Sequence, residues 1–111
     1  MAKVRGMSPV ERTLIKSPPE VWELVDDVDR ARSWVAGLAG VESEIEAVER
    51  RDGELVVWRN ETATVELEFA LSEKGWGTNV SVCSRPGGSP GALEAVLDQL
   101  AEPEVQPFSR E

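Results

Sequence analysis

Apolar side chains recur at every second position through most of the segment from Val41 to Ser84, and glycine-containing turns interrupt the pattern. The alternation is cleanest where five apolar residues alternate with threonine and glutamate: Ala63, Val65, Leu67, Phe69 and Leu71. A period of two places one face of a β-strand in the core and the other in solvent. Short links, such as the Asp52-Gly53 turn, join neighbouring strands in antiparallel pairs. The segment therefore predicts about four antiparallel strands, at 41–48, 55–59, 62–71 and 78–84.

Two short helices are predicted before this segment. Ser17-Pro18-Pro19-Glu20 has the composition of a capping box, with serine at the N-cap, proline at the first helical position and glutamate three residues after the cap. Asp29 can cap a second helix that runs from Arg30 to about Leu38. A strand at 10–16 precedes both helices, because that segment is rich in β-branched and apolar residues. The first helix has its apolar residues at helical spacing: Val21, Leu24, Val25 and Val28.

A third helix is predicted after the strands. Ser89-Pro90 repeats the order of cap and proline, and an apolar stripe follows: Leu93, Val96, Leu97 and Leu100. We therefore predict an α+β fold in which a curved antiparallel sheet of about five strands packs on the C-terminal helix, with two short helices between the first and second strands. A chain of 111 residues fits one such domain, placed at 10–102 between an arm at 1–9 and a tail at 103–111.

Composition excludes several classes of function. The net charge of −9 disfavours nucleic acid as a partner, because an acidic surface repels phosphate groups. The chain has no histidine, which excludes nucleophiles activated by histidine and zinc sites built on it. No apolar run is long enough for a membrane span. Cys83 is the only cysteine, which excludes an internal disulfide and favours a reducing, cytoplasmic location. We expect no cofactor and no bound metal.

Several motifs carry a resemblance to a known family. A strand leads directly into Ser17-Pro18-Pro19-Glu20-Val21-Trp22, Trp34 falls in the second helix, and Glu73-Lys74-Gly75-Trp76-Gly77-Thr78 places a glycine-containing turn before a strand. With the order of elements over residues 10–101, the chain resembles the START-like superfamily of polyketide cyclase/dehydrase and lipid-transport proteins. The resemblance implies the helix-grip fold, a sheet curled around the last helix with an apolar cavity between them. It also implies a small hydrophobic molecule as the ligand.

The chain is short for that superfamily, and a last helix of about twelve residues extends only ~18 Å. The cavity is therefore expected to be small, open or filled by side chains. Apolar residues near the sheet and the last helix are the candidates to bind the ligand, and Arg59 is a candidate to bind a ligand carboxylate or to form an exterior salt bridge. The apolar candidates fit a packed core as well as a pocket: Trp34, Trp58, Leu67, Phe69, Trp76, Leu93, Val96 and Leu97. Trp58 and Trp76 are preferred as pocket residues, because they lie on or near the sheet and offer one N–H donor each.

Other chemistry-bearing side chains are expected at the surface. Glutamates at alternate positions fall opposite the apolar faces of their strands: Glu42, Glu44, Glu46, Glu66 and Glu68. Two close carboxylates can act as an acid/base pair or bind a hard cation, but this pattern favours a solvated face. Cys83 has only Arg85 nearby to lower the pKa of its thiol, so a reactive cysteine is not expected.

Three functions stay open, in this order of preference. The first is binding or carrying of a small hydrophobic molecule in a cavity between the sheet and the last helix. The second is an interaction or regulatory module with a filled core, which predicts an exposed apolar patch or a homodimer. The third is an enzyme similar to polyketide cyclases or dehydratases, which predicts a carboxylate that points into the cavity. No catalytic residue is assigned.

Overall fold

The computed structural model describes residues 9–85 and 90–101. Its elements, in chain order, are β1 (Val10–Leu14), α1 (Pro18–Val25), α2 (Val28–Ala39), β2 (Ile45–Arg51), β3 (Leu55–Asn60), β4 (Glu66–Lys74), β5 (Gly77–Arg85) and α3 (Pro90–Ala101). Residues 1–8 of the predicted arm, the predicted tail and the predicted cap Ser89 lie outside the described residues.

The strands form one antiparallel sheet in the order β1-β5-β4-β3-β2. The first two strands in chain order, β1 and β2, are thus the two edges of the sheet. Strand β1 pairs with β5 in a register that places Leu14 opposite Thr78. Helices α1 and α2 connect β1 to β2, and α3 follows β5. The predicted α+β class, with five strands, a C-terminal helix and two helices between the first two strands, is confirmed.

One face of the sheet, which we call the inner face, carries the core. The alternation in β3, β4 and β5 points most of their apolar side chains to this face, where all three helices cover them. Helices α1 and α2 contribute Val21, Val25, Ala31, Trp34 and Val35, and α3 contributes Leu93, Val96, Leu97 and Leu100. The other face, the outer face, carries the charged members of the same strands. The fold thus brings α3 directly against the inner face.

Local side-chain hydrogen bonds set where α1 begins and ends. The Ser17 hydroxyl accepts the Glu20 backbone N–H, and the Ser17 backbone N–H donates to the Glu20 carboxylate at 2.9 Å, so the predicted capping box is present. These bonds lower the pKa of Glu20, the backbone bond from Ser17 most and its hydroxyl next. The end of α1 was predicted too late. Asp27 caps α2 by accepting the N–H groups of Asp29 and Arg30, so Val28 belongs to α2 and is exposed.

Two strands begin later than their apolar patterns predicted. Gly40 ends α2 in the left-handed conformation at φ 82°, which leaves Val41 exposed and starts β2 at Ile45. Asn60 organises the loop before β4, since its Oδ1 accepts the N–H groups of Thr64 and Val65 and its Nδ2 donates to the Thr64 hydroxyl. The residues of this loop continue the period of two in the sequence, but they do not form a strand, and β4 begins at Glu66.

The helices of the described residues are short. Helices α2 and α3 have 12 residues each and α1 has 8. Within residues 9–85 and 90–101, none of the helices has the length and hydropathy that crossing a bilayer would require.

Candidate ligand-binding site

Seven of the nine predicted ligand residues meet in one buried cluster between the inner face and the helices: Trp34, Trp58, Leu67, Phe69, Leu93, Val96 and Leu97. Their exposed fractions lie between 0% and 6%. Leu67 and Trp58 are register partners on β4 and β3, and the rings of Trp34 and Phe69 lie 5.3 Å apart at an angle of 55°. The sheet and α3 therefore share a continuous apolar interface, and these residues fill it in this structure.

The two buried indoles have protein partners for their N–H groups. Nε1 of Trp58 donates to the backbone oxygen of Val25 at 3.0 Å, which fixes the end of α1 against β3. Nε1 of Trp34 donates to Oε1 of Gln99 at 2.8 Å, which joins α2 to α3. Because both donors are satisfied, these tryptophans present apolar surface at the interface and no free donor.

The position predicted for Trp76 was wrong. Lys74 and Gly77 are the last register partners of β4 and β5, so Gly75 and Trp76 form the tip of the hairpin. Gly75 has φ 60°, and Trp76 is 82% exposed. A residue at such a tip projects beyond the sheet and does not line the space under α3. Ile15 lies beside Gly77 at the same end of the molecule and is 81% exposed.

Of its two predicted roles, Arg59 has the exterior salt bridge and does not line the ligand site. Its neighbours Trp58 and Asn60 are buried on the inner face, so alternation turns Arg59 to the outer face. There its Nε donates to Glu66 Oε2 at 3.2 Å, and Glu66 also pairs with Arg85 at 3.6 Å. Arg59 thus forms the exterior salt bridge that was its alternative prediction, and it cannot reach a ligand between the sheet and α3.

Three polar side chains are buried among the described residues: Asn60, Thr78 and Ser84. Asn60 uses its amide in the loop before β4, and Thr78 donates its hydroxyl to the backbone oxygen of Lys16 at 2.8 Å. The Ser84 hydroxyl has no hydrogen-bond partner. Sequence reasoning missed Ser84, although the signal was present, because Val80 and Val82 at even positions of β5 already place Ser84 on their face.

Charged side chains hold α3 from outside the apolar interface. The Arg12 guanidinium on β1 donates to Glu94 at 2.6 Å and to Asp98 at 2.7 Å, and these two carboxylates lie four residues apart on α3. The pKa of Arg12 is raised by the hydrogen bond to Asp98 first and by that to Glu94 second. Together with the Trp34–Gln99 bond, this ion-pair cluster fixes α3 to β1 and α2 by side chains at its margin.

Three clefts on the described surface involve other residues. One of about 280 Å³ is lined mainly by charged side chains of the β1–α1 region and the start of α2, including Lys16, Glu20 and Asp27. Clefts of about 440 Å³ and 270 Å³ lie at Pro18 with Leu71 and at Arg32 with Glu42. None of the three is lined by a predicted ligand residue. Within residues 9–85 and 90–101, no three Cys, Asp or Glu side chains are grouped as a metal site would require.

The five-stranded sheet, the two helices after β1 and the helix across the inner face have the arrangement of the helix-grip fold. No family model and no curated protein sequence matches the chain. Several solved structures are similar to the chain. A protein from Deinococcus radiodurans has a TM-score of 0.61 at 17% identity over 84% of this chain and 92% of the other. The Aha1 dimer from Colwellia psychrerythraea has a TM-score of 0.59 at 11% identity over 88% and 98%.

An AHSA1-like protein from Rhizobium etli matches all of this chain and 94% of its own length, with a TM-score of 0.54 and 18% identity. At these identities the comparisons show the fold. The helix-grip fold, which the sequence motifs implied, is therefore confirmed.

Proposed function

We propose that this protein binds a small, largely apolar molecule between the inner face of the sheet and α3. The observation that carries the proposal is the convergence of seven predicted ligand residues on one interface, with apolar side chains from both the sheet and the helix. Burial of a ligand's apolar surface in such an interface is favourable in proportion to the area removed from water. The single cysteine supports a reducing, cytoplasmic location for this function.

The way α3 is attached supports the same function. Helix α3 is not a member of the sheet, and its described polar links to Arg12 and Trp34 are made by side chains. An outward movement of α3 would break side-chain contacts but no hydrogen bond between strands. A bound molecule would then replace the apolar contacts that Leu93, Val96 and Leu97 make in this structure.

Two experiments test the proposal. Native mass spectrometry of freshly purified protein should show an excess mass of small-molecule size that is lost on denaturation. In a ¹⁵N NMR titration with 1-octanol, the indole signals of Trp34 and Trp58 should shift saturably, while that of Trp76, at the hairpin tip, should not. The chain has four tryptophans, so the Trp22→Phe, Trp34→Phe and Trp76→Phe variants together assign all four indole signals. A shift of the Trp76 signal alone, or no shift up to the solubility limit of 1-octanol, would contradict the proposal.

A second function is favoured by the exposed apolar end of the molecule. Trp76 precedes Gly77, whose backbone lies beside Ile15, and both Trp76 and Ile15 are more than four-fifths exposed. Tryptophan is among the residues that contribute most to protein interfaces. In this alternative, two copies of the chain associate through that end, as a module with a filled core. Sedimentation velocity tests it: Trp76→Ser should shift a dimer to monomer, whereas Val41→Ser, at an exposed apolar residue elsewhere, should not.

A further inference from the structure

We infer that Ser84 is the polar contact for the bound molecule, and that this molecule carries a neutral oxygen group, such as a hydroxyl or a ketone, on an otherwise apolar body. The inference rests on the proposed function and narrows the chemical class of its ligand. It starts from one observation that packing does not explain. Ser84 is only 3% exposed, yet its hydroxyl has no hydrogen-bond partner.

A buried hydroxyl without a partner is unusual and unfavourable. The large majority of buried polar groups in native proteins are hydrogen-bonded, because loss of hydration is otherwise uncompensated. The other two buried polar side chains of the described residues follow this rule, since Asn60 and Thr78 both have protein partners. Ser84 therefore differs from them in having hydrogen-bonding capacity left for a group from outside the chain.

The position of Ser84 fits the proposed ligand site. It lies on the inner face in the same alternation as Val80 and Val82, and its register partner on β4 is Leu67, one of the predicted ligand residues. Helix α3 begins at Pro90, six residues later in the chain. Asn60 and Thr78 lie on the same face but have protein partners, so Ser84 is the polar group of this wall whose hydroxyl is unpaired among the described residues. It lies at the end where the chain leaves the sheet.

The surroundings favour a neutral group over a carboxylate. The nearest cation in sequence, Arg85, belongs to the outer face and pairs there with Glu66 at 3.6 Å and Glu68 at 3.4 Å. A carboxylate beside Leu67 and Val82 would have no cation among the described residues of that wall, and burial of an unpaired charge is strongly unfavourable. A hydroxyl or ketone needs only one hydrogen bond, and a serine hydroxyl can donate or accept it.

The test compares four probes of equal chain length: 1-octanol, 2-octanone, octanoate and octane. Each is titrated into wild-type protein, Ser84→Ala and Ser81→Ala, with the indole signals of Trp34 and Trp58 as the readout. Ser81→Ala is the matched control, because Ser81 lies on the same strand but on the outer face. The alanine variant at Ser84 should weaken binding of 1-octanol and 2-octanone about fivefold, the effect of one hydrogen bond. Octane should bind wild-type protein and Ser84→Ala equally. Ser81→Ala should leave the affinity for all four probes unchanged.

Each other outcome has a definite meaning. Equal losses for 1-octanol and octane in Ser84→Ala would assign Ser84 a packing role and overturn the inference. Unchanged binding of 1-octanol to Ser84→Ala would also overturn the inference. The partner of the Ser84 hydroxyl would then be a buried water and not the ligand. If octanoate binds more tightly at pH 8 than the other three probes, the polar group of the ligand is charged and the inference is overturned. In all these cases the proposed function stands, because probes still bind, whereas the absence of any shift in wild-type protein would overturn both.

Discussion

The indole nitrogen of Trp34 donates a hydrogen bond to Oε1 of Gln99 at 2.8 Å, across the boundary between α2 and α3. The ring of Trp34 lies against Phe69 of the sheet, so this one side chain contacts β4 with its ring and α3 with its edge. Gln99 is exposed, which places the bond at the margin of the apolar interface. Trp34 thus links the sheet to α3, the two elements between which the proposed ligand would bind.

Trp34→Phe should lower the free energy of unfolding by about 1–2 kcal/mol. Phenylalanine retains an aromatic ring but loses the N–H donor and leaves part of the indole volume empty, and each change contributes about 1 kcal/mol. Urea denaturation followed by circular dichroism measures the difference.

Trp76→Phe is the matched control for this prediction. The same atoms are removed, but from a side chain that is mostly in solvent. Its free energy of unfolding should stay within about 0.5 kcal/mol of wild type. Equal losses in both variants would show that burial does not distinguish the two tryptophans.

The sequence was sufficient to predict the fold, because each element rests on a local pattern that tertiary structure preserved. The period of two in β4 and β5, the capping box at Ser17 and the stripe on α3 all reappear. What the patterns did not predict were bounds set by side-chain hydrogen bonds to the backbone. Asp27 and Asp29 are equally good caps by type, and only the structure shows that Asp27 starts α2.

The candidate site was predictable in part, and its errors have identifiable causes. Its N–H donor and its place near the sheet favour Trp76 as a pocket residue, whereas its place in a glycine-containing turn favours exposure, and exposure is what the structure shows. Arg59 follows the inward Trp58, so alternation alone assigned it to the outer face. The same parity argument places Ser84 inward. What no pattern could predict is that the Ser84 hydroxyl lacks a partner, since that depends on every neighbour in three dimensions.

Gly77→Ala should destabilise the protein by about 2–3 kcal/mol. A Cβ built on Gly77 would lie 2.1 Å from the backbone oxygen of Leu14, so β1 and β5 would have to separate where they meet. Overpacking against backbone has an effect of this size, because neither strand can move without distorting its hydrogen bonds. Thermal or urea unfolding of the variant gives the value.

Gly37→Ala is the control with the opposite expected sign. Gly37 lies within α2, and apart from its chain neighbours and the adjacent helix backbone a Cβ there would have no atom within 4 Å. Alanine favours the helix over glycine, so the free energy of unfolding should rise by about 0.5–1 kcal/mol. A loss at Gly37 similar to that at Gly77 would mean that the close approach to Leu14 is not the cause.

Arg12→Gln should lower the free energy of unfolding by about 0.5–1 kcal/mol at low salt, because it removes both ion pairs between β1 and α3. The difference from wild type should shrink in 1 M NaCl, where exposed charges are screened within a few ångströms. Arg51→Gln removes one longer pair, to Glu49 at 3.6 Å within β2, and should have a smaller effect. A difference for Arg12→Gln that is independent of salt would assign the loss to packing of the arginine side chain.

Cys83 should react slowly with thiol reagents near neutral pH, and its two charged neighbours should change the rate in opposite directions. Burial raises the pKa of the Cys83 thiol most, Glu68 raises it further, and Arg85 lowers it. Since the thiolate is the reactive form, Glu68→Gln should shift the pH profile of the reaction to lower pH and increase the rate at pH 8. Arg85→Gln should shift the profile to higher pH and decrease the rate.

Stopped-flow measurements with a chromogenic disulfide between pH 7 and pH 10 give the midpoints of both pH profiles. Because Glu68 and Arg85 pair with each other at 3.4 Å, each substitution also frees the other charge, which reinforces the expected shift. Shifts of the same sign in both variants would show that exposure of Cys83, and not the local charge, controls its reactivity.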